Sequence, residues 1–360
     1  MMKKNLIKWI LPAVLLFTAC NKDNDVAPVV ITPVPVDTIS KGGAYILSEG
    51  GFGANNSKLA YRVDSSGVIF GDYFLEKNPA LTGGLGDLAN DMIVYGNKIY
   101  IVMNGSGNIT VLNLATGVQI TTIPVPSGPR FATGYNGKVY ASAYDGTVKV
   151  IDTATLAISN SIVVGPNPEA LVAVGNYLYV TNSGGLNPVP DSTISVVDLN
   201  TQLETQKITV GINPQKIEAN SLGDLYVSSY GNFTSIPATV TVVSSATKSV
   251  KATLNSDYSY SQVRIHNDTA YFYNNYGGAG TCKMYNTIAD TTIRSEFITD
   301  GTVITSPYGI NIDDKGNVYI ADAGDFTSSG SVTCFDRNGV KKFSFSVAPG
   351  VNPNKIVFVK

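Results

Sequence analysis

The stretch Leu178-Tyr179-Val180-Thr181-Asn182 decides the fold, because variants of it recur along nearly the whole chain. Each variant contains an apolar residue followed by a tyrosine. The seven copies are Ala44-Tyr45, Ile99-Tyr100, Val139-Tyr140, Leu178-Tyr179, Leu225-Tyr226, Ala270-Tyr271 and Val318-Tyr319. Successive tyrosines lie 39 to 55 residues apart. Recurrence at such a period indicates a chain built from structural repeats.

Each copy reads as four short strands, and the third copy shows this most plainly. The turn pairs Asn136-Gly137 and Asp145-Gly146 separate its alternating apolar runs, and such pairs indicate hairpins because both central residues of the turn need a positive φ. A period near 45 residues with four strands per unit is typical of a β-propeller, since a lone sheet has two apolar faces to cover. We therefore predict an all-β fold, a seven-bladed β-propeller of four-stranded antiparallel blades. A solenoid is the structural alternative.

The two ends of the repeat array complement each other. The first marker, Ala44-Tyr45, lacks the hairpin strand that precedes every other marker. The segment 353–358, by contrast, repeats the opening of a unit and then the chain stops. We expect the C-terminal strand to join the first blade, which would close the ring and leave no open sheet edge. The predicted propeller domain spans residues 39–360.

The first residues resemble a bacterial lipoprotein signal. Lys3 and Lys4 form a basic start, an apolar run extends from Leu6 to Phe17, and a small-residue cleavage site ends in Cys20. We therefore predict a signal peptide at 1–19, a lipid on Cys20 and an extended tether over 20–38, where prolines are frequent. An ordinary secretory signal is the alternative.

Composition excludes several classes of function. Removing residues 1–19 removes three of the 25 basic residues, so 22 remain against 27 acidic ones, and with no basic cluster we expect no nucleic-acid binding. The single histidine, His266, cannot build a histidine cluster for zinc or a triad with a second histidine. We predict no catalytic residues, no metal ligands and no cofactor. Equal parity on equivalent strands directs Cys282 and Cys334 to the same face of neighbouring sheets, so we predict buried free thiols, with a disulfide as the alternative.

The repeat also carries a resemblance. Tyr179-Val180-Thr181-Asn182 is the tetrapeptide of the YVTN-type propeller repeats, and Tyr226-Val227-Ser228-Ser229 is a variant of it. With its lipoprotein start and an acidic segment after Cys20, the chain resembles the Bacteroidetes surface-exposed propellers that bind cobalamin and partner a TonB-dependent transporter. The resemblance implies a lipid-anchored protein at the surface of the outer membrane that captures cobalamin or a related corrinoid as a ligand and delivers it to that transporter.

The candidate site lies at one end of the strands. Loops between the second and third strands of each blade share a face with the connections between blades, and here they combine aromatic residues with glycine and asparagine. Aromatic rings supply contact area at low entropic cost, and amides supply directional hydrogen bonds. The candidate ligand-binding residues are Phe52, Asn104, Arg130, Tyr144, Asp145, Asn182, Tyr230, Phe233, Tyr258, Tyr260, Asn275, Tyr276, Tyr308 and Phe326.

Two other functions remain open. A metal-dependent hydrolase or lyase of the propeller lactonase kind would need oxygen ligands around the central channel, which Asn90, Asp91, Glu169 and Glu218 could supply. A surface-layer or adhesion module that recognises glycan or protein is the third possibility.

Overall fold

The structure, a computed structural model, describes residues 42–185, 187–274 and 281–359. The first elements are β1 (Gly43–Ser48), β2 (Lys58–Val63), β3 (Ile69–Phe70), α1 (Tyr73–Lys77), β4 (Ala89–Tyr95), β5 (Lys98–Met103), β6 (Asn108–Asn113) and β7 (Gln119–Pro124). They are followed by β8 (Pro129–Tyr135), β9 (Lys138–Ala143), β10 (Thr147–Asp152), β11 (Ile158–Val163), β12 (Pro168–Val174), β13 (Tyr177–Asn182), β14 (Thr193–Asp198) and β15 (Leu203–Thr209).

The second half of the chain continues the same alternation of strands and turns. Its elements are β16 (Pro214–Ala219), β17 (Asp224–Ser229), β18 (Thr239–Ser244), β19 (Ser249–Thr253), a short 3-10 helix (Ser256–Tyr258), β20 (Gln262–His266), β21 (Thr269–Tyr273), β22 (Cys282–Asn286), β23 (Thr291–Arg294), β24 (Pro307–Ile312), β25 (Val318–Asp322), β26 (Ser329–Phe335), β27 (Lys341–Val351) and β28 (Pro353–Val359). Within the described ranges, neither helix combines the length and the apolar character that crossing a bilayer requires.

The strands form seven antiparallel four-stranded sheets, which are the blades of a propeller. Blade 1 has the order β28-β1-β2-β3, and blades 2 to 7 each take the next four strands in sequence, starting at β4. The first strand of each blade contacts the first strands of the two neighbouring blades, all the way round from β4 to β28 and back to β4. The predicted seven-bladed ring, closed by the C-terminal strand, is therefore confirmed.

The marker tyrosines hold neighbouring blades together. All seven are buried, and they belong to the apolar clusters between blades. Three of their hydroxyls reach the turn between the third and fourth strands of the next blade: the hydroxyl of Tyr45 donates to the carbonyl of Leu114 at 3.2 Å, that of Tyr179 to the carbonyl of Ser245 at 3.0 Å, and that of Tyr226 to the carbonyl of Thr287 at 3.2 Å. The repeat motif therefore stabilises the fold, as expected of a mid-strand aromatic residue.

The two cysteines also behave as predicted. Cys282 and Cys334 are both buried and both free. They lie in different apolar clusters, which pack around blades 6 and 7 and around blades 7 and 1 respectively. Burial raises the pKa of the Cys282 thiol, so this side chain behaves as a small apolar residue.

Candidate functional site

One end of the ring, which we call the loop face, is held together by a repeated backbone hydrogen bond. It comprises the loops between the second and third strands of each blade and the connections between blades. In six blades, the first residue of such a loop donates its N–H to the carbonyl of the residue before the inner strand, at 2.8 to 3.2 Å. These pairs are Glu49–Asn352, Asn104–Leu88, Tyr144–Gly128, Ser183–Asn167, Tyr230–Asn213 and Ala323–Ser306.

The residue before the inner strand takes a left-handed conformation in five of these blades. Its φ is +44° at Asn167, +60° at Asn213 and +56° at Asn352, and Gly128 and Leu88 take the same conformation. Glycine and asparagine are the residues that tolerate positive φ best. Several of the glycines and asparagines that make this face distinctive in sequence are therefore required by the backbone.

A β-bulge then opens the inner strand in six blades, for example between Pro214 and Lys216. A bulge leaves a residue unpaired and re-aims its side chain. As a result, two consecutive side chains of one inner strand can face the central channel. Four such pairs line the same cavity: Asn90 with Asp91, Arg130 with Phe131, Gln215 with Lys216, and Asn354 with Lys355.

The described residues form two adjoining cavities in the channel. The upper cavity, at the loop face, encloses about 220 Å³, and the lower cavity encloses about 460 Å³. Most of the side chains that line both cavities are charged. We call these charged residues the charged belt: Asp91, Lys216, Glu218, Arg264 and Lys355. Below the belt the wall includes many apolar residues of the inner strands, such as Leu171 and Val357.

Ion pairs and hydrogen bonds link neighbouring blades around the upper cavity. The ion pairs are Lys355–Asp91 at 2.9 Å, Arg130–Glu169 at 2.8 Å and Arg264–Glu218 at 2.8 Å. Arg130 also donates to the amide oxygen of Asn90. Although burial opposes ionisation of Asp91, Lys355 beside it lowers the pKa of that carboxyl below its usual value.

These contacts occupy the oxygens that a cation in the channel would need. Asp91, Glu169 and Glu218 each have a basic partner. Over residues 42–359, leaving out 186 and 275–280, no three side chains of the His, Cys, Asp and Glu type are grouped as metal ligands.

Two charged groups of the upper cavity have no ion-pair partner among the described residues. Glu49 accepts a hydrogen bond from the hydroxyl of Tyr308, and burial raises the pKa of its carboxyl. Lys216 places its ammonium over the ring of Phe131, 3.8 Å from the centroid. Burial lowers the pKa of Lys216 to about 8.

The structure brings several predicted site residues together at the upper cavity. Arg130, Tyr230 and Tyr308 line it. Gln262 donates a hydrogen bond to the hydroxyl of Tyr230 at 2.7 Å. The hydroxyl of Tyr144 donates to Glu169 at 3.3 Å, so this ring also lies at the channel mouth.

Three predicted phenylalanines form an exposed apolar rim outside this mouth. Phe52 is 91% exposed and Phe233 is 73% exposed, and Phe326 is 36% exposed. Phe233 packs edge-on against Tyr230, and Phe326 packs edge-on against Tyr308. Two residues that the sequence did not indicate extend the rim: Val189 and Val303, which are 79% and 77% exposed.

Other predicted residues are not available on the face. The amide of Asn182 is buried, donates to Thr193 and Ser195, and accepts from the N–H of Gly165. Tyr258 is buried against Phe272 and Tyr285, because the 3-10 helix turns its ring into the space between blades 5 and 6. We therefore remove Asn182 and Tyr258 from the candidate site.

The remaining predicted residues serve their own loops or lie outside the described residues. Tyr260 is partly buried and stacks on Phe272. Asn104 donates to the carbonyl of Pro129, and Asp145 binds Thr147 and Lys149. Asn275 and Tyr276 lie outside the described residues, as do Cys20, the predicted signal peptide at 1–19 and the whole of the predicted tether over 20–38.

Sequence reasoning missed Glu49, Lys216, Gln262, Asn354 and Lys355 as residues of the cavity. A signal for two of the inner-strand members was present. In five repeats a proline opens the inner strand, and in four of them the next two residues line the upper cavity, as in Pro214-Gln215-Lys216 and Pro353-Asn354-Lys355. Aligning the repeats on that proline would have placed Lys216 and Lys355 in the same layer.

Comparison with known proteins supports the fold. A family model described as a domain of unknown function, DUF5074, matches residues 42–353. A search of curated proteins found no match.

Solved structures similar to the chain include hydrazine synthase from Kuenenia stuttgartiensis, with a TM-score of 0.56, 18% identity, and coverage of 68% of this chain and 74% of that one. A computationally designed protein, Ika8, matches with a TM-score of 0.56 and 12% identity, and the match covers 88% of this chain and 91% of the Ika8 chain. At these identities the likeness shows the fold alone.

Proposed function

The chain belongs to the DUF5074 family, and we propose that it is a surface-tethered binding protein that captures cobalamin or a related corrinoid. The apolar rim around a polar channel mouth is the observation that carries this proposal. Phe52 and Phe233 are the most exposed phenylalanines of the described residues, and both project from the loop face. A large exposed apolar patch bordered by polar groups marks a binding surface.

The chemistry of the mouth suits a bulky ligand with apolar edges and many amide groups. Rings of the rim can cover apolar surface, while Tyr144, Gln215 and Tyr230 offer hydroxyl and amide groups beside them. The upper cavity, at about 220 Å³, is small for a corrinoid. The macrocycle would therefore lie across the mouth and the rim, with only a side arm reaching inward.

The tether and the partner complete the proposal. A lipid on Cys20 would hold the propeller at the cell surface, and the 20–38 segment would let the loop face reach a TonB-dependent transporter in the same membrane. Exposed residues of the rim that the ligand leaves uncovered, such as Val189 and Val303, are then available to that transporter.

A direct test uses cyanocobalamin and the chain from residue 38 onward, which contains all seven blades. We expect the coloured ligand to elute with the protein in gel filtration at micromolar concentration. Colourless protein would exclude the proposal. Repeating the run in chelator distinguishes this proposal from the metal-dependent hydrolase, because loss of cyanocobalamin binding would favour the hydrolase. In that enzyme, Asp91 and Glu169 would have to leave their ion pairs to bind the metal.

A second prediction concerns the rim. Phe52→Ser and Phe233→Ser should each weaken cyanocobalamin binding by about tenfold or more, because covering a phenylalanine contributes about 1.5–3 kcal/mol. The melting temperature should hardly change, since both side chains are exposed.

Leu222→Ser is the matched control. Leu222 is also largely exposed, but it lies in the turn between β16 and β17 at the opposite end of the strands. If all three variants bind as the parent does, the ligand does not contact the rim. If Leu222→Ser alone weakens binding, the ligand occupies the opposite face.

A further inference from the structure

We propose that the central channel contains an oxyanion site at Lys216, which takes a small carboxylate or a tetrahedral sulfate- or phosphate-type group. The first observation is the pairing around the channel. Arg130, Arg264 and Lys355 each have a carboxylate partner, whereas Lys216 has no ion pair or hydrogen bond from its ammonium among the described residues. This inference does not depend on the proposed corrinoid function.

The neighbouring blades explain why Lys216 lacks a partner. At the register position equivalent to Lys216, blade 4 carries Ala170, which has no charge. Blade 6 carries Gln262 there, and its amide is already bound to Tyr230. No side chain at this layer of either adjacent blade is therefore an acid. Ion pairs and side-chain hydrogen bonds across the upper cavity link blades 1 and 2, 2 and 3, 3 and 4, 5 and 6, and 7 and 1. Among the described residues, none of these contacts joins blades 4 and 5.

Two cations converge on one ring at this point. The ammonium of Lys216 lies 3.8 Å from the centroid of Phe131, and the guanidinium of Arg130 lies 5.7 Å from the same centroid. A partly buried ammonium without a direct ion pair is costly, and an aromatic face compensates only part of that cost. Asp91 and Glu169 act on Lys216 electrostatically without pairing with it, so an anion beside Lys216 would be its first direct ion-pair partner and could also accept from Arg130.

The cavity fits an anion of limited size. It opens at the loop face and encloses about 220 Å³, enough for a small carboxylate, a sulfate or a phosphoryl group with its water. Among the described residues that line this cavity, Glu49 is the one carboxyl without an ion pair, and burial raises the pKa of that group. Protonation of Glu49 would leave the cavity with a positive excess.

The test is calorimetric titration with sodium sulfate and, separately, sodium acetate against a chloride background, using the chain from residue 38 onward. We expect wild-type protein to bind at least one of the two anions, and Lys216→Met to bind it at least about tenfold more weakly, as loss of a charge-assisted contact predicts. Preference for sulfate would indicate a phosphoryl-type ligand, and preference for acetate a carboxylate.

Lys248→Met is the matched control, because Lys248 also stacks on an aromatic ring, Tyr177 at 3.5 Å, but far from the channel. This variant should bind like the wild type. Anion-dependent stabilisation in thermal melts gives a second readout, since a bound anion raises the melting temperature. Equal binding by all three proteins, or no heat up to about 50 mM anion, would overturn the proposal.

The pH dependence should have a definite sign. Charged groups that face Lys216 come from blade 1 (Glu49 and Lys355), blade 2 (Asp91), blade 3 (Arg130), blade 4 (Glu169), its own strand (Glu218) and blade 6 (Arg264). Raising the pH through about 8 removes the charge of Lys216, and ionisation of Glu49 acts in the same direction. Affinity for both anions should fall between about pH 6.5 and 9, where neither anion titrates.

A competition experiment distinguishes a free anion from an anionic arm of the corrinoid. If saturating sulfate weakens cyanocobalamin binding in the wild type but not in Lys216→Met, the phosphodiester of that ligand uses this site. If cyanocobalamin binds unchanged in sulfate, the channel takes a separate small anion. Failure of cyanocobalamin to bind at all would leave the anion titration unaffected.

Discussion

A chain that ends at Asn352, and so lacks β28, is expected not to fold cooperatively. β28 pairs with β1 from Gly43 to Ser48, and as an inner strand it also contacts β24 and β4. Its loss would leave β1 as an open edge and interrupt the inner ring, although every other residue of the seven blades would remain. Circular dichroism melts should show no sharp transition.

Two specific losses set the size of this effect. Ile356 is buried in the cluster between blades 7 and 1, and removing a buried isoleucine costs about 2–5 kcal/mol. Lys355 is the partner of the buried Asp91, and leaving a buried charge unpaired costs about 3–5 kcal/mol. Together these approach the whole stability of a typical domain, about 5–15 kcal/mol.

The control is removal of Lys360 alone, which leaves β28 intact and should not change the melt. Adding a synthetic peptide of residues 353–359 to the truncated chain should restore part of the transition, because the peptide can add to the edge of β1. A truncated chain that melts sharply at the parent temperature would show that the ring does not need its closing strand.

Tyr179→Ala should lower the free energy of unfolding by about 3–5 kcal/mol, the usual cost of truncating a buried aromatic residue. The ring of Tyr179 is buried between blades 4 and 5, among Ile194, Ile217 and Val243. Denaturant titration should report the loss as a lower midpoint. Ligand binding by the folded fraction should be unchanged, because the ring lies away from the loop face.

Tyr179→Phe separates the ring from the hydroxyl. It keeps the apolar contacts and removes the hydrogen bond to Ser245, so its cost should be only about 0.5–1.5 kcal/mol. If Tyr179→Ala costs no more than Tyr179→Phe, the ring does not contribute to blade packing. If Tyr179→Ala instead abolishes ligand binding without lowering stability, the marker tyrosine belongs to the binding site.

Much of the fold could be predicted because its signals are local and repeated. A turn pair such as Asn136-Gly137 specifies a hairpin within a few residues, and seven copies of Tyr179 and its equivalents set the number of blades. Closure could be predicted too, because the missing strand of blade 1 and the surplus strand after Pro353 complement each other.

The candidate site was predicted only in part. Phe52, Phe233 and Tyr308 lie at the rim or the mouth as expected, since aromatic residues in turns have no backbone reason to be there. Asn182 and Tyr258 are buried instead. Asn182 and Tyr258 are both next to loops in the sequence. However, Asn182 is still the last residue of β13, and Tyr258 belongs to the short 3-10 helix, so each side chain points into the interior and not to the loop face.

The sequence by itself determined the blade, its repeat number and the closing strand, because hydrophobic alternation and turn chemistry act between residues close in the chain. Only the tertiary structure decided which side chains pair in the central channel. The residues that contact each other there are distant in sequence, as Glu49 with Tyr308 and Asp91 with Lys355 show. Which acid meets which base depends on the bulge at each inner strand and on the order of blades in the ring. Among the described basic residues that line the upper cavity, Lys216 is the one without an ion pair.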